Sequence, residues 1–131
     1  MPQITAALVI KNGASTPVDK TFSPVRVAPE RSIFADRTSG MSLGFPTITV
    51  KSSAADTKRQ TNRVDVDVDL PVVIGDAVTG YKVGHTLRFR GYFVLPEAAS
   101  AEQRSDLLAF AANSLGHATV RATIKDLDAM Y

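Results

Sequence analysis

Apolar and polar residues alternate through long parts of this chain, most strictly at RVDVDVDLP, residues 63 to 71. Val64, Val66, Val68 and Leu70 occupy every second position, with Arg63, Asp65, Asp67 and Asp69 between and before them. Side chains of a β-strand point alternately to its two faces, so this stretch predicts a strand with one apolar and one charged face. The same reading applies to GFPTITVKS, 44 to 52, where Ile48 and Val50 oppose Thr47, Thr49 and Lys51. It applies again to HTLRFRGYFVLP, 85 to 96, where Leu87, Phe89, Phe93 and Leu95 oppose Thr86, Arg88, Arg90 and Tyr92.

Further strands are expected at ITAALVI, 4 to 10, and SIFAD, 32 to 36. Asn12-Gly13 has the composition of a tight hairpin turn with positive φ angles. The returning segment PVDKTFSPVRV contains Pro17 and Pro24, which lack backbone donors and mark an edge strand or an irregular one. SSAADTKRQT reads as a polar loop. Pro71 is expected to begin a long connection, with Gly75, Gly80 and Gly84 supplying flexibility.

The period then changes. SAEQRSDLLAFAANSLG begins with Ser100 and Gln103 at capping-box spacing, continues with Leu107, Leu108, Phe110, Ala111 and Leu115, and ends at Gly116. A shorter helix is expected in HATVRATIKDL, where Val120, Ile124 and Leu127 recur on one face. Strands first and helices last give an α+β class built on an antiparallel sheet. With 131 residues and 44% hydrophobic content, one domain over residues 1 to 131 is expected, with strands to about 97 and helices over about 100 to 128. Two short helices are too few to cover five or more strands, which points to a second copy of the chain completing the cover.

Composition narrows the function classes. The absence of cysteine removes disulfide and thiolate-metal chemistry and fits a reducing compartment such as the cytosol. MPQITAALVIKNG has neither the length of a spanning segment nor the pattern of a signal peptide, so no membrane role is expected. A net charge of +2 does not by itself identify a nucleic-acid binder. The placement of charges has to carry that argument.

Asp65, Asp67 and Asp69 stand about 7 Å apart along an extended strand, and Leu70 occupies the place where a calcium loop needs glycine to curl. The reading of a charged face is therefore preferred to a metal site. Arg88 and Arg90, alternating in the same way, are suited to pair with the aspartates across neighbouring strands at about 0.2–1 kcal/mol per pair. From these two strands alone, a surface ion-pair ladder and a binding face are both open. His85 and His117 lie in no nucleophile, zinc or phosphate-loop motif, so an enzyme is not expected, and His117 reads as a helix-end residue.

Taken in order, LVIKNGASTPVDKTFSPV, NRVDVDVDLP, RGYFVLP, EQRSDLLAF and the terminal LDAMY resemble the coat proteins of single-stranded RNA bacteriophages, the leviviruses, over nearly the whole chain. The resemblance implies an N-terminal hairpin, a five-stranded antiparallel sheet and two C-terminal helices, in an interlocked homodimer whose helices lie over the partner's sheet. It further implies a capsid protein that self-assembles into an icosahedral shell, as a virion or virus-like particle. The virion is then its location and the bacterial host cytoplasm its place of synthesis. Genomic single-stranded RNA would bind the inner sheet face, including a hairpin whose binding represses replicase translation. No cofactor or metal is implied. Carried over by strand, the RNA-binding residues are Thr47, Thr49, Lys51, Arg63, Asp65, Asp67, Thr86, Arg88 and Arg90. Tyr131 is a candidate anchor of the C-terminus in the dimer, and the 72 to 84 connection a candidate contact around symmetry axes.

One departure accompanies the resemblance. Relatives tend to have neutral polar or basic residues where this chain has Asp65 and Asp67. The aspartates could orient Arg88 and Arg90 or accept from a cytosine amino group, or they could leave mainly nonspecific, salt-sensitive packaging contacts. A non-viral dimeric RNA-binding regulator using the same basic strand is the alternative function, and a metal-dependent enzyme stands third.

Overall fold

The computed structural model describes residues 7–127 and residue 129. The chain divides into two compact units between Val94 and Leu95. In the first, β1 (Leu8–Lys11), β2 (Asp19–Val27), β3 (Arg31–Ala35), β4 (Thr47–Ser53), β5 (Thr61–Asp76) and β6 (Gly80–Pro96, its last two residues in the second unit) form one sheet in sequence order. The expected hairpin is thus the first two strands of a six-stranded sheet, one continuous meander. Positions 4–6 of the first expected strand, and Tyr131, lie outside the described residues.

Register fixes the faces, because directly paired residues share one. Phe34, Ile48 and Val68 line up on one side, and Ile33, Thr49 and Asp67 on the other. Phe22, Phe34 and Ile48 form the buried core, with Leu8, Val50 and Val68 packed against it. The alternation read from sequence is therefore the alternation of the sheet. Beyond this core the same apolar rows are open: Leu87 is 52% and Phe89 42% exposed. An open concavity of about 550 Å³ lies against Ile10, Phe22, Pro46, Val68 and Leu70.

Two turns differ from expectation, while β2 shows the irregularity expected at its proline. Asn12-Gly13 is not a two-residue turn, and Gly13 has no positive φ. A longer connection joins β1 to β2, in which the Asn12 side-chain Oδ1 accepts from the Ala14 and Val18 backbone N–H groups and the Asn12 backbone N–H donates to the Val18 carbonyl. Pro24 sits at an irregular point of β2, where pairing with β3 shifts between Pro24 and Arg26 and leaves Val25 unpaired. The long loop expected from Pro71 is a hairpin instead, since β5 runs on to Asp76 and β6 begins at Gly80.

The glycines of that hairpin serve close approach at Gly75 and Gly84 and a positive φ at Gly75 and Gly80. Gly75 has φ +107°, and a Cβ there would lie 2.1 Å from the Gly80 carbonyl oxygen. Gly80 has φ +86°, and a Cβ on Gly84 would meet the Ile74 side chain at 2.8 Å. Asp76 closes the turn by accepting from the backbone N–H groups of Val78 and Thr79 and from the Thr79 hydroxyl, which lowers its pKa.

In the second unit, α1 (Ala101–Gly116) begins with the expected capping box: Gln103 N–H donates to Ser100 Oγ, and Ser100 N–H to Gln103 Oε1. α2 (Ala118–Asp126) ends at Leu127, whose left-handed φ of 59° stops the helix one residue short of the expected apolar repeat. His117 follows α1, but its role differs from that of a cation at a helix C-terminus. Its Nδ1 accepts from the Thr119 N–H and so caps the start of α2. The helices' apolar residues are open, with Leu108 59%, Phe110 71% and Ile124 60% exposed. No helix among the described residues is long and apolar enough to cross a membrane.

Candidate RNA interface

Strands β4, β5 and β6 bring the expected site residues to one face. Across β4 and β5 the pairs are Thr47 with Asp69, Thr49 with Asp67, and Lys51 with Asp65, with Arg63 one step farther along opposite Ser53. From β6, Arg88 and Arg90 reach the same aspartates: Arg88 Nε stands 3.8 Å from Asp69 Oδ1, Arg90 Nε 4.0 Å from Asp67 Oδ1, and Arg90 Nη2 2.7 Å from Asp69 Oδ1. Lys51 Nζ approaches Asp67 Oδ2 at 3.8 Å. Thr86 lies two residues before Arg88, on the same side by alternation. Thr49 is only 8% exposed and offers least surface of the group.

The arrangement is a ladder of ion pairs. Asp69 Oδ1 is enclosed and receives its two arginines by proximity, without a hydrogen bond in the proper direction. Arg90 spends Nη1 on the Phe89 carbonyl at 3.0 Å, which fixes its guanidinium over β5. Asp67 keeps 17% of its side chain exposed and Asp69 32%, against 48% for Arg90 and 62% for Arg88. The carboxylates therefore lie low between strands while the cationic heads stand above them. A ligand approaching this face meets positive charge first.

Four residues outside the expected RNA-binding set belong to the same face, Asp69 and Tyr92 having been assigned to it by alternation alone. Asp69 takes the closest contact from β6, Arg90 Nη2 at 2.7 Å. Arg31 pairs with Lys51, a placement readable from the alternation of RSIFA. Arg26 stands opposite Ile33, on the charged side, only because of the shift after Pro24, so no regular alternation would have found it. Tyr92 is 61% exposed, and the Arg63 guanidinium lies 4.1 Å from its ring centroid. Arg63 Nε in turn donates to Asp65 Oδ1 at 2.7 Å, and that hydrogen bond raises the already high arginine pKa. Tyr92 shares the phase of Arg88 and Arg90, which was the available signal.

The face is thus a sheet surface on which cations outnumber carboxylates, with an exposed aromatic ring at one end. Such a surface suits a polyanion with stackable groups. A model of the levivirus coat protein family matches residues 2–131. Among solved structures, the fold is similar to the virus-like particle of bacteriophage ESE058, with 24% identity, TM-score 0.87 and coverage of 99% of this chain and 100% of that one. The virus-like particle of Beihai levi-like virus 21 is similar at 22% identity, TM-score 0.87 and 99% coverage of both chains. The capsid protein of bacteriophage GA shares the fold at 13% identity and TM-score 0.76, covering 96% of this chain and 97% of that one. No curated protein matches the chain by sequence.

Proposed function

Since the chain belongs to the levivirus coat protein family, whose role is structural and not enzymatic, we propose that it dimerises, closes into an icosahedral shell and holds genomic RNA on the charged sheet face. The similar virus-like particles support shell formation. The open apolar rows support dimerisation: Leu87 and Phe89 on the sheet, and Leu108 and Phe110 on α1, are large side chains that a second copy would remove from water. Interlocking, with each copy's helices over the other's sheet, satisfies both sets at once.

The observation that carries the RNA reading is the elevation of Lys51, Arg88 and Arg90 above Asp65, Asp67 and Asp69. Phosphates meet the cationic heads, while the aspartates hold those heads in place and limit the net attraction. Thr47, Arg63 and Thr86 complete the contact surface, and Thr49 contributes from below. A hairpin at the replicase start is the specific RNA that family resemblance points to, and repression of replicase translation would follow from its capture. The acidic row weights binding toward general, salt-sensitive contacts.

Electron microscopy of protein purified from a bacterial expression host, with the ultraviolet absorbance ratio of the same fraction, tests this reading. Uniform shells rich in nucleic acid are expected. Soluble dimers alone, across a range of concentration and added RNA, would overturn it. Competition between the hairpin and an unrelated RNA of equal length tests repression, with preferential capture of the hairpin expected.

A further inference from the structure

Asn12 holds the connection between β1 and β2 together with three hydrogen bonds. Its Oδ1 accepts from the Ala14 N–H at 3.2 Å and the Val18 N–H at 3.0 Å, and its backbone N–H donates to the Val18 carbonyl at 3.0 Å. The bond to Ala14 folds the carboxamide back over the peptide that links Asn12 to Gly13. The nitrogen of that peptide belongs to Gly13, whose N–H donates to no group among the described residues. Asn12 is exposed and borders the open concavity beside β1, so water has access to it.

These are the parts of an intramolecular reaction. The nitrogen after an asparagine can close a five-membered ring on the side-chain Cγ, and a glycine there puts no Cβ in its path. Two N–H groups on Oδ1 draw electrons from Cγ and stabilise the negative charge that develops on that oxygen during attack, as an oxyanion hole does. The two other asparagines lack this combination. Asn62 precedes an arginine within β5 and Asn113 a serine within α1, where regular backbone holds the following nitrogen away from ring closure.

We infer that the Asn12-Gly13 pair is a self-modification site, at which the chain converts its own asparagine to aspartate and isoaspartate without an enzyme. The Gly13 nitrogen gives its proton to a base in solution and bonds to Asn12 Cγ; the Cγ–Nδ2 bond breaks, and Nδ2 leaves as ammonia. Water then opens the resulting succinimide at one of its two carbonyls. Addition at Cγ gives aspartate, whereas addition at the main-chain carbonyl gives isoaspartate, whose backbone runs through Cβ and Cγ.

The two products differ in effect. Aspartate keeps an acceptor for the Ala14 and Val18 N–H groups and adds a negative charge beside the Lys11–Asp19 ion pair. Isoaspartate lengthens the backbone by one carbon where Asn12 is tied to Val18, next to the pairing of Lys11 with Asp19. The hairpin of β1 and β2 therefore weakens as isoaspartate accumulates in the subunit.

The test incubates folded full-length protein at mildly alkaline pH in heavy-oxygen water and maps its peptides by mass spectrometry, with electron-transfer fragmentation to tell isoaspartate from aspartate. Wild type should accumulate both products at residue 12, each carrying the heavy oxygen and isoaspartate in excess, while Asn62 and Asn113 stay intact. Gly13→Ala should slow the conversion about tenfold or more, because its Cβ crowds the attacking nitrogen. The turn accepts that variant, since a Cβ on Gly13 meets nothing within 4 Å. Freshly prepared Asn12→Asp carries the charge without the isomer, so aged wild type should melt below it. An Asn12 that stays intact in the folded protein, whether or not the urea-unfolded chain converts, would overturn the inference. Equal rates in wild type and Gly13→Ala, or conversion of Asn62 or Asn113 as fast as that of Asn12, would overturn it as well.

Discussion

Arg90 Nη2 stands 2.7 Å from Asp69 Oδ1, while the same guanidinium keeps its Nε 4.0 Å from Asp67. One arginine is thus shared by two carboxylates of the neighbouring strand, both lying deeper than it does. An anion that takes Arg90 competes with these partners for its donors. RNA affinity on this face is therefore set by exchange of ion pairs rather than by adding a phosphate to a free cation.

Neutralising those partners should strengthen general RNA binding. Asp67→Asn with Asp69→Asn is expected to raise affinity for unrelated RNA severalfold at moderate salt, with the gain shrinking as salt rises. Filter binding over a salt series measures it. Weaker binding by this variant would mean that holding the arginines in place outweighs the attraction the aspartates cancel.

Removing the cations should have the opposite effect and a defined slope. For Arg88→Ala with Arg90→Ala, the dependence of log affinity on log salt should fall by about 0.7 for each phosphate of single-stranded RNA that the variant no longer neutralises. Dimers should survive, as judged by light scattering, because both heads are on the charged face.

The β5–β6 hairpin should tolerate no side chain at Gly75. Gly75→Ala places a Cβ at 2.1 Å from the Gly80 carbonyl oxygen, at a φ of +107° that disfavours it further. A loss of roughly 1–3 kcal/mol or more is expected. Denaturant unfolding would show this as a lowered midpoint, and particle yield should fall as well.

At the other end of the chain, Ser100→Ala removes half of the capping box of α1. The expected cost is about 1 kcal/mol. Far-ultraviolet circular dichroism on heating should show the helical signal lost at a lower temperature, and Ser100→Asp should restore most of it.

Asp36 gives a pH dependence with a definite sign. It is 8% exposed, and hydrogen bonds from the Thr38 hydroxyl and backbone N–H hold its carboxyl below the ordinary aspartate value of 3.8. A carboxylate with a depressed folded-state pKa contributes stability that is fully present above its unfolded value and is lost as pH falls through the folded one. Wild type should therefore lose its advantage over Asp36→Asn below about pH 4. Melting temperatures of both proteins through the acid range would measure this.

Much of this architecture was legible because period and face are local properties. Val64, Val66 and Val68 identify their own strand, and Ser100 with Gln103 identify the start of α1. What depended on packing between segments was less accessible. Pro71 reads as a strand end, yet β5 continues through it into an adjacent strand that begins at Gly80. His117 sits where a C-terminal residue of one helix and the N-cap of the next coincide, and only the turn geometry assigns its ring to Thr119. The charged face was found through alternation, but the stack of Arg63 on Tyr92 joins two strands whose pairing the chain does not spell out.

The shift at Pro24–Arg26 has a consequence for how β2 answers to change. Up to Pro24 the strand keeps one phase, with Pro24 beside Phe34 on the apolar side. After the unpaired Val25 the phase reverses, so Arg26 joins Ile33 on the charged side and Val27 lies beside Ser32 on the apolar side. Deleting Val25 would leave a more regular ladder without altering which side Arg26 faces. Deleting a residue elsewhere in β2 would instead turn every following side chain to the opposite face. The strand is therefore two half-strands in counterphase with a single-residue spacer between them, and Val25 is the one position whose length, rather than whose side chain, is open to variation.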